Sequence, residues 1–149
     1  MVNISSLLSL AENLKNNTEL NHVIWVTTES ELSKKLPKAS LTSFPALVVV
    51  TPSYDSKGSD RESIRDITSL IFFILSKQSH QNIKEEELVM DMDKTLSICK
   101  QIETILISGF PNQDTCYISN HVDPESFHID PEFNYLGCNG WSMTFELTL

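Results

Sequence analysis

The chain has few of the features that catalysis or tight anion binding require. It contains no Gly-x-Ser-x-Gly elbow and no glycine-rich phosphate loop; Gly is present only 4 times, and Gly58 stands alone among Ser, Asp and Lys. Its cysteines, Cys99, Cys116 and Cys138, form an odd set without paired spacing, which speaks against a disulfide scaffold and for a reducing compartment. Basic charge is scarce. The 11 Lys and Arg against 20 Asp and Glu give a net charge of −9 and a pI near 4.8. Nucleic-acid binders gain affinity by placing Lys and Arg on phosphates and releasing counterions; the closest basic grouping here is Lys34, Lys35 and Lys38. An acidic surface keeps a small protein soluble, and it also suits a wall that must not adhere to DNA sliding past.

Long hydrophobic runs are missing as well. The longest, Leu70 to Leu75, falls far short of the ~20 residues that span a bilayer, and the start at Met1-Val2-Asn3-Ile4 lacks the basic region of a secretory signal. These features predict a soluble protein, intracellular where it is made, with no membrane contact. At 149 residues and 40% hydrophobic content the chain suits a single domain, 1–149, which would bury roughly two thirds of its unfolded surface.

What is present is a clear pattern of elements. At the C-terminus Trp141, Met143, Phe145, Leu147 and Leu149 alternate with Ser142, Thr144, Glu146 and Thr148, the period of a strand with one buried face. Asn139-Gly140 is expected to supply the positive φ of the turn leading into it. At the other end Ile4, Leu7, Leu8, Ala11 and Leu14 recur at helical spacing behind a capping Asn3. His22–Thr28 reads as a strand covered on both faces, and Glu29–Leu36 as a turn of helix that Pro37 stops. Phe44–Thr51 is the strongest central strand; Thr68–Leu75 admits helix or strand, and its β-branched and aromatic content and its hairpin relation to Phe44–Thr51 favour strand. The polar stretch from Pro52 to Glu62 between them reads as a projecting loop. Glu85–Ile107 carries a stripe of Leu88, Met92, Leu96, Cys99, Ile102 and Leu106 behind three glutamates that favour a helix N-terminus. Thr115–Asn120 and Ser126–Ile129 read as short strands. The sum is an α+β fold: an antiparallel sheet with a long central hairpin, packed against two helices.

The residues that could carry chemistry have plainer readings. Asp91 and Asp93 sit ~200° apart on their helix and cannot grip one ion together. His121-Val122-Asp123 and His128-Ile129-Asp130, with Cys116, have the right atoms for Zn²⁺ but no paired-ligand spacing. The composition therefore predicts no catalytic, cofactor or metal residues. Phe133 and Tyr135, in a polar segment led by Pro131, are candidates either for a protein contact or for packing over the sheet edge.

The succession Ile4–Leu14, Phe44–Thr51, Thr68–Leu75, Glu85–Ile107 and Trp141–Leu147 resembles the tail terminator and tail-completion family of tailed bacteriophages. The ring proteins in the necks of crAss-like gut phages are similar too. The ending Gly137-Cys138-Asn139-Gly140-Trp141-Ser142-Met143-Thr144-Phe145-Glu146-Leu147 looks like the final strand of such proteins. The resemblance implies a virion protein, assembled in the host cytoplasm, that forms a ring at the head–tail junction or tail end. Its partners would be copies of itself and other neck or tail proteins, with DNA passing nearby. Tyr54, Asp55, Lys57, Asp60 and Arg61 in the projecting loop, with Phe133 and Tyr135, would then contact a neighbouring subunit or ring. Two other classes stay open: a small protein-binding adaptor, and a small metal-dependent enzyme using the His121–Asp130 region.

Overall fold

The computed structural model describes residues 2–77, 84–110 and 118–148, with the backbone alone at Glu29 and Ser119. Helix α1 spans Ile4–Asn16, and its cap is the expected one: the Asn3 side-chain oxygen accepts the Ser6 N–H at 2.7 Å. Strand β1 is His22–Val26 and the short helix α2 is Glu29–Lys35. A single 3-10 turn, Leu41–Ser43, leads to β2, Ala46–Lys57. Strand β3 is Arg65–Lys77, helix α3 is Glu85–Ser108, and strands β4, His128–Tyr135, and β5, Cys138–Thr148, close the chain.

The strands form one sheet in the order β1-β2-β3-β5-β4. The fold is α+β, with the β2–β3 hairpin central and antiparallel to its neighbour β5. The sheet is mixed, because β1 lies parallel to β2. The reason is the connection: α2 and the 3-10 turn carry the chain back to the end from which it set out, so the next strand must run the same way. Helices α1 and α3 cover one face, where Leu7, Leu14, Ile98 and Ile102 meet Leu47, Phe72, Ile74, Met143 and Phe145. Phe72 and Phe145 pack edge to face at 5.2 Å. Helix α2 lies on the opposite face, where Leu32, Leu36 and Phe44 cover Val48, Phe73 and Leu75. Lys77 pins this cover: its Nζ donates to the carbonyls of Leu36, Pro37 and Ala39 at 3.2, 3.2 and 3.0 Å.

Several sequence expectations shift in register. The stretch after Thr51 is no loop at first, since β2 continues to Lys57 and only 58–64 form the tip. Backbone pairing with β3 overrides the polar composition, and Pro52 falls at the irregularity between Val50 and Ser53, where a missing N–H is tolerated. The buried stripe of α3 is Thr95, Ile98, Cys99, Ile102, Ile105 and Leu106, while Leu88, Met92 and Leu96 are only half-buried. The first turns of α3 bury little, with Met90 71% and Val89 53% exposed. Of the expected strand at Thr115–Asn120, residues 115–117 lie outside the described ones, and Ser119–His121 is a 3-10 turn. Strand β4 begins at His128 rather than Ser126 and runs through Pro131, on the outer edge of the sheet.

The last hairpin turn also lies earlier than expected. Tyr135 pairs with Cys138, so the two-residue loop is Leu136-Gly137, with φ of 51° and 83°. Asn139 and Gly140 belong to β5. Asn139 is held there because its Oδ1 accepts the Asn134 N–H at 2.8 Å.

Candidate functional site

The β2–β3 hairpin is the most prominent projection. It pairs from Ala46 opposite Leu75 to Lys57 opposite Arg65. Support from the rest of the sheet ends earlier: β1 flanks β2 only to Val50, and β5 flanks β3 only to Ile67. From Thr51 to Asp55 the hairpin is still backed by β5 on one side, and only the pairs Ser56–Asp66 and Lys57–Arg65 with the 58–64 tip extend past it as two strands. Its tip is organised by its own hydrogen bonds. The Asp60 carboxylate accepts the N–H of Glu62 at 3.0 Å and of Ser63 at 2.9 Å, and the Ser63 hydroxyl accepts the N–H of Ser59 and Asp60, both at 3.1 Å. These bonds, the Ser63 contacts foremost, hold the Asp60 carboxyl below its ordinary pKa.

The five loop residues singled out from sequence therefore divide. Asp60 shapes the tip. Tyr54 is 42% exposed and its hydroxyl donates to the Val2 carbonyl at 2.9 Å, tying the hairpin base to the start of the chain. Asp55, Lys57 and Arg61 are exposed. Lys57 stands directly opposite Arg65, and like charges so placed repel. Neither makes an ion pair among the described residues.

Phe133 and Tyr135 divide as well. Phe133 is 66% exposed. Tyr135 is half-buried and stacks on Phe73, ring centroids 5.3 Å apart, so it seals the α2-side core. The pleat explains the split: the irregularity between Glu132 and Tyr135 separates them and turns Tyr135 inward.

The groups considered for chemistry do not converge. His128 Nε2 and Asp130 Oδ2 are 3.0 Å apart, but both side chains are solvent-facing. Asp123 builds a turn, its carboxylate accepting the Glu125 N–H at 3.0 Å and its carbonyl the Ser126 hydroxyl at 2.6 Å. Asp91 accepts the Ser76 hydroxyl at 3.2 Å while Asp93 is exposed. Among the described residues no three His, Cys, Asp or Glu side chains are placed to hold a metal; Cys116 lies outside them. Cys138, flanked by the turn-forming residues Gly137 and Asn139, is buried at the start of β5. Burial pushes its thiol up to about 11, and that of Cys99 up to about 12.

One concavity escaped the sequence reading. A groove of about 370 Å³ lies between β1 and the α2 segment on the face that α2 covers, lined by His22, Ile24, Lys34, Lys35, Lys38 and Ser43. The Lys34–Lys38 grouping is visible in the sequence, but its meeting with His22 depends on α2 folding back over β1. Lys35 is partly committed, to Glu31 at 2.9 Å and the Trp25 carbonyl at 2.7 Å.

Comparison with known proteins assigns no relative: no family model matches the chain, and no curated protein matches its sequence.

Proposed function

We propose that this chain is a structural virion protein that forms a ring at a bacteriophage head–tail junction or tail end, lining the DNA passage and joining neighbouring rings. The observation that carries the reading is the hairpin, whose last two strand pairs and tip extend past β1 and β5, whose tip is fixed by its own hydrogen bonds, and which holds Lys57 against Arg65 with no ion-pair partner among the described residues. Such a projection suits a peg for another subunit, whose carboxylates would relieve the like-charge contact. The order of elements, with a covered helical face and a long central hairpin, supports the same reading by its resemblance to the tail-terminator family. That is fold-level support. The net charge of −9 suits a passage through which DNA slides without sticking. In this reading the protein works through interfaces and not catalysis, needs no cofactor, and is assembled in the host cytoplasm.

A second reading, a small protein-binding adaptor, is favoured by Phe133 on an edge strand, where a single exposed aromatic can anchor one partner.

Native mass spectrometry over a concentration series, with negative-stain imaging, separates the two. A closed oligomer with a central hole is expected. A monomer at every concentration that binds one partner stoichiometrically replaces the ring by the adaptor.

A further inference from the structure

The two edges of the sheet differ in charge. All 11 Lys and Arg lie at or before Lys100, while Asp and Glu continue to Glu146. The final third of the chain builds β4 and β5, and these two strands carry Asp130, Glu132 and Glu146 and no Lys or Arg, with His128 Nε2 3.0 Å from Asp130 Oδ2 as their one basic neighbour on β4. On β4, Asp130 and Glu132 pair with Ser142 and Gly140 of β5, and Ser142 in turn pairs with Phe73. This places both carboxylates on the face that α2 covers farther along. At the opposite edge, on that same face, lies the groove of Lys34, Lys38 and His22 beside β1.

We propose that adjacent copies of this chain meet laterally through these edges, the Lys34/Lys38 groove of one against Asp130 and Glu132 of the next. The contact rests on the ring reading and specifies which surfaces close the ring. Like edges brought together would oppose charges of one sign; only a head-to-tail arrangement joins opposite signs, and such a contact closes into a ring when its operator is a pure rotation of the right angle. Backbone pairing is blunted on both sides. β1 has only 5 residues and Lys35 occupies the Trp25 carbonyl, while β4 contains Pro131 and an irregularity after Glu132. Side-chain charge is left to set the register. The direction fits too. The edges face along the hydrogen-bonding direction of the sheet, perpendicular to the strands, so lateral contacts leave the hairpin free to engage a ring above or below.

The test uses the full chain, the variant K34E/K38E and the variant D130K/E132K, after circular dichroism has shown native thermal midpoints. Native mass spectrometry and sedimentation at low salt follow, since exposed pairs are screened at high salt. Each variant alone is expected to self-associate at least ~10-fold more weakly than wild type. An equimolar mixture is expected to assemble again, because every contact in an alternating ring then joins opposite signs. A wild-type oligomer that either variant reproduces unchanged overturns this contact and leaves the ring standing, as does a mixture that fails to restore assembly. A wild type that stays monomeric at every concentration overturns the ring reading, and the contact with it.

Discussion

A Cβ built on Gly140 would lie 2.0 Å from the Ile74 carbonyl oxygen of the neighbouring strand. No rotamer change relieves a clash with backbone, so β3 and β5 would have to part. Gly140→Ala is therefore expected to cost about 1–3 kcal/mol in urea unfolding, through enforced overpacking. A loss under ~0.5 kcal/mol, the range of neutral surface changes, would show that the strands are not so close. In the sequence, Asn139-Gly140 has the signature of a turn, and that signature misled: the glycine is demanded by a close approach between strands, whose partner is 66 residues earlier in the chain. The cysteines behave alike. Cys99 on an apolar helical stripe was legible as buried, whereas Cys138, between the turn-forming Gly137 and Asn139, is enclosed only through the pairing of β5. With thiols raised by burial to about 12 and about 11, both should resist alkylation at pH 8 in the folded protein and react fully in denaturant, as mass mapping of the labelled peptides would reveal. Rapid native labelling of Cys138 would contradict its placement in β5.

At the scale of elements, α2 is the piece with least intrinsic support. Only 7 residues long, it depends on its ends and on what holds it to the sheet. At its start the Glu31 carboxylate accepts the Thr27 hydroxyl at 2.6 Å and the Thr27 N–H at 2.7 Å. These bonds, with Lys35 adding to them, lower the Glu31 pKa from 4.5 to about 2. A folded-state value below the unfolded one stabilises the native state fully above pH 4.5, and the effect is lost as pH falls toward 2. Glu31→Gln should therefore flatten the acid-side fall in the denaturation midpoint within that window; an unchanged slope would mean that Glu31 is not so bonded. At the other end, Lys77→Met would leave three carbonyls without their shared donor, an expected loss of about 1–3 kcal/mol in chemical denaturation. A loss confined to ~0.3 kcal/mol would mean that water replaces the ammonium freely. The longer elements were legible because periodicity and capping act within a few residues: α1 with its Asn3 cap, α3, and the alternation of β5 all stand where pattern put them. Strand β4 was legible only at its start, where the expected strand Ser126–Ile129 overlaps it; its continuation through Pro131 to Tyr135 depends on pairing with β5.

Across the whole molecule the hairpin and the two sheet edges point in perpendicular directions, and assembly draws on them differently. Replacing 58–64 by a two-residue Asn-Gly turn, the kind that closes a tight hairpin, removes the tip without touching the core. The shortened protein is expected to keep its thermal midpoint and its lateral oligomer but to lose stacking of one ring on another, visible as shorter particles in negative stain. Stacks of unchanged length would exclude the tip from that contact. Phe133 and Tyr135 illustrate why candidate contacts could be named but not sorted from sequence. Both are aromatics in one polar segment, and only the irregularity in β4 sends one to solvent and the other onto Phe73.

The sequence by itself determined the fold class, the two long helices, the central hairpin and the acidic balance, because each follows from local spacing or from composition. The tertiary structure alone decided that β1 runs parallel, that the polar stretch after Thr51 is strand as far as Lys57, that Cys138 is buried, and that His22 joins Lys34 and Lys38 at one edge while Asp130 and Glu132 mark the other. Those depend on which distant segments pair, and pairing is set by the summed burial of a whole sheet and not by any residue's own preference.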